Sequence, residues 1–293
     1  MNYEDLINEK SWSTFPVGLS GCRTSDIFFD SCDYDITVFD DTSQNDEIIQ
    51  YQNNFVKIHH GSLAESQSSK LVQYDNMQII HDESWELRML LSKIKEKRGT
   101  LYKDYAKNSL IESLFCCEKT KQGIKDSSVF ASCWQKCASY FLAEGIVSLN
   151  QCKPRPTHML DTMRKLKKNS INEKISIVNE TVGIERSTPS LLERMLKSTI
   201  GFSDIVEKNN HSILIQQKHD YFVKNSMLSD CYFYLGYVNK ENFVKIKDSI
   251  ERQPELFHIL KISFDVEADP HLLEQQANRV EKSANEILDS VSR

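Results

Sequence analysis

The sequence predicts an α+β protein: a small mixed β-sheet domain over residues 1–99, then an all-α helical domain over residues 100–293. Three observations carry this. Short β-branched runs bounded by turn residues are confined to residues 16–82. From residue 100 onward, apolar residues recur at the helical period. Between these textures, Lys95-Glu-Lys-Arg-Gly99 sets basic residues and then glycine, the punctuation of a helix C-terminus.

Composition bounds what the chain can be. Of 293 residues, 40% are hydrophobic and 27% charged, enough apolar material for a sizeable core. With 9 Gly and 6 Pro it is no linker or collagen-like chain. The formal net charge of −6 argues against a surface for duplex DNA. No stretch approaches the ~18 apolar residues of a membrane helix, so no membrane partner is expected. Met1 to Lys10 lacks an apolar core and reads as neither signal nor transit peptide. Eight Cys without regular spacing or a CxxC pair predict reduced thiols and a cytoplasmic location.

Along the first domain, Pro16 to Gly21 is a turn-rich approach, and Tyr34-Asp-Ile-Thr-Val-Phe39 alternates as a strand. Asp40 to Asp46 is an acidic turn. Residues 55–59 and 77–80 read as further strands. Asp82 is the expected N-cap of a helix carrying Trp85, Leu87, Leu90, Leu91 and Ile94 and ending before Gly99. In the second domain, Ser127 or Ser128 is set to cap a helix that ends near Asn150, because Pro154 and Pro156 forbid continuation. Cys133, Trp134, Cys137 and Phe141 read as its core face. Thr157–Lys168 forms a basic-ended helix, and Ser187-Thr-Pro-Ser190 starts another. Residues 211–235, 240–262 and 270–291 each carry helical spacing.

Chemistry concentrates between Gly18 and Phe39. Asp33 and Asp35 stand two apart, so they share a face where β-structure continues. Paired carboxylates repel unless a cation sits between them, and oxygen ligands suit Mg²⁺. A dozen residues earlier, Ser20-Gly21-Cys22 is a small-residue turn that lets a backbone approach phosphate oxygens. A helix starting there would add its N–H groups, and Arg23 a guanidinium.

Gly21-Cys22 and then Asp30-Ser-Cys-Asp-Tyr-Asp35, leading into a strand, resemble the pattern of the polymerase-beta-like nucleotidyltransferase superfamily. Ile79-Ile-His-Asp-Glu-Ser84 before a long helix is similar to kanamycin-type and other small members, and a helical domain follows. The resemblance covers about a third of the chain. It implies a nucleoside triphosphate substrate with Mg²⁺ held by Asp33 and Asp35. Ser20, Gly21, Cys22 and Arg23 would cradle the triphosphate, and the helical domain would cover a hydroxyl acceptor (small molecule, protein or RNA end). Cys22 stands where the family has Ser, and Cys32 is inserted before Asp33.

A third departure bears on activity. The family places a third carboxylate on a neighbouring strand, where this chain has Lys57, with His59 two residues on. A lysine here can neutralise the acids as a metal would, by roughly 4 kcal/mol per pair at 4 Å and an effective dielectric near 20 before desolvation. His59 is the alternative base, and Glu65 or Asp75 the replacement carboxylate. Two functions stand open: nucleotidyl transfer, or a degenerate member that binds a nucleotide or a partner and catalyses nothing.

Overall fold

The computed structural model describes residues 1–25, 27–207 and 211–292. The fold is α+β, in two compact units, Met1–Tyr102 and Lys103–Arg293. The division falls three residues beyond the glycine expected to mark it.

The first unit opens with α1 (Tyr3–Glu9), capped by the Asn2 side chain. Then come β1 (Val17–Ser20), β2 (Tyr34–Val38), β3 (Glu47–Tyr51), β4 (Asn54–His60), α2 (Ser68–Tyr74), β5 (Gln78–His81) and α3 (Glu86–Glu96). The strands form one mixed sheet in the order β3-β4-β2-β1-β5. Only β2 and β4 are parallel; the chain makes β3 at the sheet edge and returns antiparallel, which seats β4 beside β2. Alternation along the strands divides the side chains. Val17, Leu19, Ile36, Val38, Val56 and Ile58 form a core with Leu6 of α1. The opposite face carries Phe39, which packs with Leu71, Tyr74, Met77, Leu87, Leu90 and Ile94.

Two strands were not expected. β1 occupies the turn-rich approach, because its alternating residues Val17 and Leu19 find the α1 core. β3 follows the acidic turn and is defined by pairing with β4 rather than by its own pattern. Asp82 caps α3 from outside the helix: its carboxylate accepts from the N–H groups of Leu87 and Arg88 at 3.2 and 2.9 Å.

Gly99 does not stop a helix. It lies in the first turn of α4 (Arg98–Lys125). A glycine there costs about 1 kcal/mol, and the start of α4 is held by stronger ties. Buried Asp75 accepts from Arg98 Nε at 2.9 Å and from Tyr102 OH at 2.8 Å. Glu65 is also committed locally, its carboxylate accepting from the N–H groups of Ser66 and Gln67 at 2.8 Å each. Neither replacement carboxylate foreseen from the sequence stands in the Asp35–His59 cluster.

The second unit is helical. After the remainder of α4 come α5 (Ala131–Leu149), α6 (Met159–Lys165), α7 (Ile175–Val182), α8 (Pro189–Val206), α9 (His211–Lys224), α10 (Leu228–Lys245), α11 (Phe257–Ser263) and α12 (Pro270–Ser292). Expected helix 211–235 is two helices: Ser226 turns left-handed (φ 57°), and the Met227 N–H reaches back to the Phe222 carbonyl at 2.8 Å. Expected helix 240–262 is likewise broken, at the 3-10 turns around Pro254. α5 is buried along nearly its whole length, with Cys133, Trp134, Cys137 and Phe141 in the core. α10 approaches it at Gly236, where a Cβ would stand 1.9 Å from the Tyr140 hydroxyl. Buried Glu144 of α5 pairs there with Lys240 of α10 at 2.5 Å. Among the described residues, no helix is long and apolar enough to cross a membrane.

Replacing Asp75 with Ala should destabilise the first unit by about 2–3 kcal/mol, because one buried and one part-buried hydrogen bond to a charged acceptor are lost. Glu65→Ala, which removes only a local cap, should cost about 1 kcal/mol. Hydrogen exchange of the β5 amides in the full chain measures both.

Candidate functional site

The polar end of the sheet is built where β1 ends and β2 begins. Antiparallel pairing sets Ser20 opposite Asp35. Gly21 follows with φ 75° and ψ −154°, a conformation open to glycine. A Cβ on Gly21 would lie 1.8 Å from Asp35 Oδ2, so the absence of a side chain lets turn and carboxylate pack together. Thr24 and Ser25 brace the turn by donating to the carbonyls of Gly21 and Cys22 at 3.1 and 2.8 Å. Beside it lies a cleft of about 540 Å³ lined by Thr24, Ser25, Asn76, Met77 and Gln78.

The expected helix after Gly21 is a single 3-10 turn, Cys22–Thr24. Arg23 also differs from expectation. Its guanidinium donates to the Cys32 carbonyl from Nε at 3.0 Å and Nη2 at 2.7 Å, and to the Asp30 carbonyl at 3.1 Å. It lies over the rings of Phe28 and Tyr34, 5.1 and 4.7 Å from their centroids. Arg23 therefore clamps the loop that presents Asp33, with its donors turned to that loop. Asp33 is buried, one residue ahead of β2.

Parallel pairing of β2 with β4 sets Lys57 beside Asp35 and His59 beside Thr37. Lys57 and His59 share the Asp35 face, since they alternate with core residues Val56 and Ile58. His59 Nε2 stands 3.4 Å from Asp35 Oδ1. Its other nitrogen, Nδ1, is 3.0 Å from Asp46 Oδ1, and Lys57 Nζ is 3.2 Å from Asp46 Oδ2. His60 points to the other side and pairs with Asp40 at 2.8 Å.

Asp46 is the residue that sequence reasoning missed. It ends the acidic turn just before β3, and the antiparallel pairing of β3 with β4, Glu47 opposite Ile58, brings Lys57 and His59 to it. The one local signal was its place as the last acid before a strand. The structure thus joins Ser20, Gly21, Asp35 and His59 of the expected set, adds Asp46, and turns Lys57 toward Asp46.

The cluster balances its own charge. Burial opposes ionisation of Asp46, but His59 and Lys57 outweigh it and hold the carboxyl far below its ordinary value. For His59, burial and then Lys57 oppose protonation. Hydrogen bonds to Asp35 and Asp46 outweigh both, and its pKa is raised. When His59 is protonated, two carboxylates stand against two cations.

Asp33 and Asp35 offer hard oxygen donors of the kind Mg²⁺ takes together with substrate phosphates. Asp35 stands beside Lys57 on the neighbouring strand, where the resemblance would place a third carboxylate.

No protein-family model matches this chain, and no curated protein matches it. A solved structure with some likeness is a nucleotidyltransferase-like protein from Exiguobacterium sibiricum, at 12% identity and a TM-score of 0.32, covering 76% of this chain and 90% of that one.

The pKa directions give a pH dependence with a definite sign. His59 contributes stability fully below its unfolded value of 6.5, and this is lost as pH rises through the raised folded value. The Asp46 contribution is present above its unfolded value of 3.8 and is lost as pH falls through the depressed one. Thermal melts of the full chain should show His59→Gln costing more near pH 6 than near pH 9. An equal cost at both would mean that the imidazole is neutral in the cluster.

Proposed function

We propose that the first unit is a nucleotidyltransferase-like domain that binds a nucleoside triphosphate at the Gly21 turn and directs nucleotidyl transfer to a hydroxyl acceptor. The observation that carries this reading is the contact of Gly21 with Asp35. A turn without a side chain and the head of a paired-acid strand meet at one point, where phosphate and its counter-ion are both served. Backbone at Gly21 and Cys22 would lie along the phosphate oxygens. The neighbouring 540 Å³ cleft has the size of a nucleoside site. Asp33 and Asp35 would hold Mg²⁺, which when bound neutralises the triphosphate and polarises its reacting phosphorus. The acceptor is a small molecule, a protein side chain or an RNA end. A reducing, cytoplasmic setting suits the eight thiols.

The protein groups would act by positioning and charge. His59 has a carboxylate at each ring nitrogen, and its raised pKa favours the imidazolium. To take a proton from an acceptor hydroxyl it must first lose one and leave one carboxylate. Its resting role is therefore to hold Asp35 and Asp46 at fixed positions.

That same cluster favours a second reading, a non-catalytic nucleotide binder. Lys57 and His59 satisfy Asp46 with protein cations, and a self-neutralised cluster has little call on a second metal.

Calorimetric titration of magnesium nucleoside triphosphates, run beside a pyrophosphate-release assay over a broad acceptor panel, tests both readings. Turnover supports transfer, whereas tight binding without turnover supports the second. Asp33→Asn with Asp35→Asn should abolish Mg²⁺-dependent binding and lower the melting temperature, because Asp35→Asn takes a carboxylate from the His59 cluster. Unaltered affinity in that double variant would remove the assignment. Lys57→Glu restores the acid that the resemblance implies. It should raise Mg²⁺ affinity roughly tenfold, about 1.4 kcal/mol; no change would show that the ammonium does not compete with the cation.

A further inference from the structure

The turn and the acidic strand are joined by a segment with a cysteine at each end, Cys22 directly after Gly21 and Cys32 directly before Asp33. We propose that Cys22 and Cys32 form a dithiol modification site, oxidised to an intramolecular disulfide by low-molecular-weight disulfides such as oxidised glutathione.

Four observations carry this. The two sulfur atoms lie within 4.8 Å of each other. Closing to a bond of about 2.05 Å takes less than about 3 Å of sulfur movement, within the reach of side-chain rotation. Second, the backbone on both sides is already clamped in the reduced form, since Arg23 holds the Cys32 carbonyl through two nitrogens. Third, Phe29 N–H points at Cys32 Sγ at 3.4 Å, a hydrogen bond that a thiolate accepts well. Fourth, the two cysteines differ in access. Cys22 is the less deeply set of the two as a residue, with Cys32 at 3% exposure, so Cys22 is the sulfur that a reagent meets first.

The other thiols sharpen the contrast. Cys116, Cys117, Cys133, Cys137 and Cys231 are buried, and burial pushes their pKa values up, for Cys117 to about 12. Such thiols are inert to exchange. Cys152 is partly exposed and serves as an internal comparison.

The chemistry balances in two exchanges. Cys22 thiolate attacks one sulfur of glutathione disulfide, forming a mixed disulfide and expelling glutathione thiolate. Cys32 thiolate then attacks the Cys22 sulfur, forming the internal bond and expelling the second glutathione thiolate. The two cysteine protons end on the two glutathiones, and the reagent takes up the two electrons. The product fastens the Gly21 turn to the residue before Asp33. The site stands on thiol geometry and does not depend on nucleotide binding.

Full-length reduced chain would be incubated with oxidised glutathione and digested with trypsin under non-reducing conditions. Cleavage after Arg23 puts the cysteines on separate peptides, Ser11–Arg23 and Thr24–Lys57, each with one Cys. The expected result is a disulfide-linked pair of these peptides, two hydrogens lighter than their sum and separated by dithiothreitol. Cys22→Ser should abolish the linked pair, and Cys32→Ser should trap glutathione on Cys22. Failure of the wild-type chain to give the linked pair while Cys152 becomes glutathionylated would overturn the proposal, as would a Cys32→Ser chain modified at Cys152 but not at Cys22. The wild-type result decides even if a variant fails to fold. A separate titration of the oxidised chain with nucleotide reports on the functional reading alone.

Discussion

Asp35 and Lys57 stand side by side on parallel strands, and that pairing sets the electrostatics of the whole polar end of the sheet. An acid and a base side by side on adjacent strands offset each other's charge. The pairing also commits the next residue on the same face, His59, to the same cleft. Asp46 completes the balance from the acidic turn, held by the ammonium on one oxygen and the imidazole on the other. For Asp46 and His59 the neighbours favour the charged form against the cost of burial. The cluster is therefore a single electrostatic unit, and removing one member unbalances the rest.

A second constraint acts on the segment between turn and strand. Gly21 must lack a side chain because Asp35 occupies the space, and the loop must return to put Asp33 at the head of β2. Arg23 does this with a guanidinium spread over two carbonyls and packed on two aromatic rings. A residue type associated with phosphate recognition here serves the backbone. The same clamp brings two cysteines together, so loop geometry and thiol proximity share one cause.

The second unit is organised by close approach and buried polarity. Gly236 allows α10 to pack on Tyr140, and buried Glu144 pairs with buried Lys240 between the same two helices. Arg164, part of a basic run that could have marked an anion site, has one terminal nitrogen 2.9 Å from each carboxylate oxygen of buried Asp230. Its local role is structural.

Local pattern by itself determined much of this protein. Alternation fixed the strands at Tyr34–Val38 and Asn54–His60, and caps fixed the starts of helices at Asp82 and Thr188, because each depends on residues a few positions apart. The proximity of a glycine turn to Asp35 was legible through the resemblance alone, since β1, which carries the turn beside β2, was not expected as a strand. Tertiary structure alone decided the partner of Lys57, the role of Asp46 and the commitments of Arg23, Glu65 and Asp75. Except for Glu65, which caps its own turn, these depend on which segment returns to lie beside which. Gly99 makes the same point from the other side. A local stop signal of about 1 kcal/mol yielded to a buried carboxylate that holds α4 from a distant part of the chain.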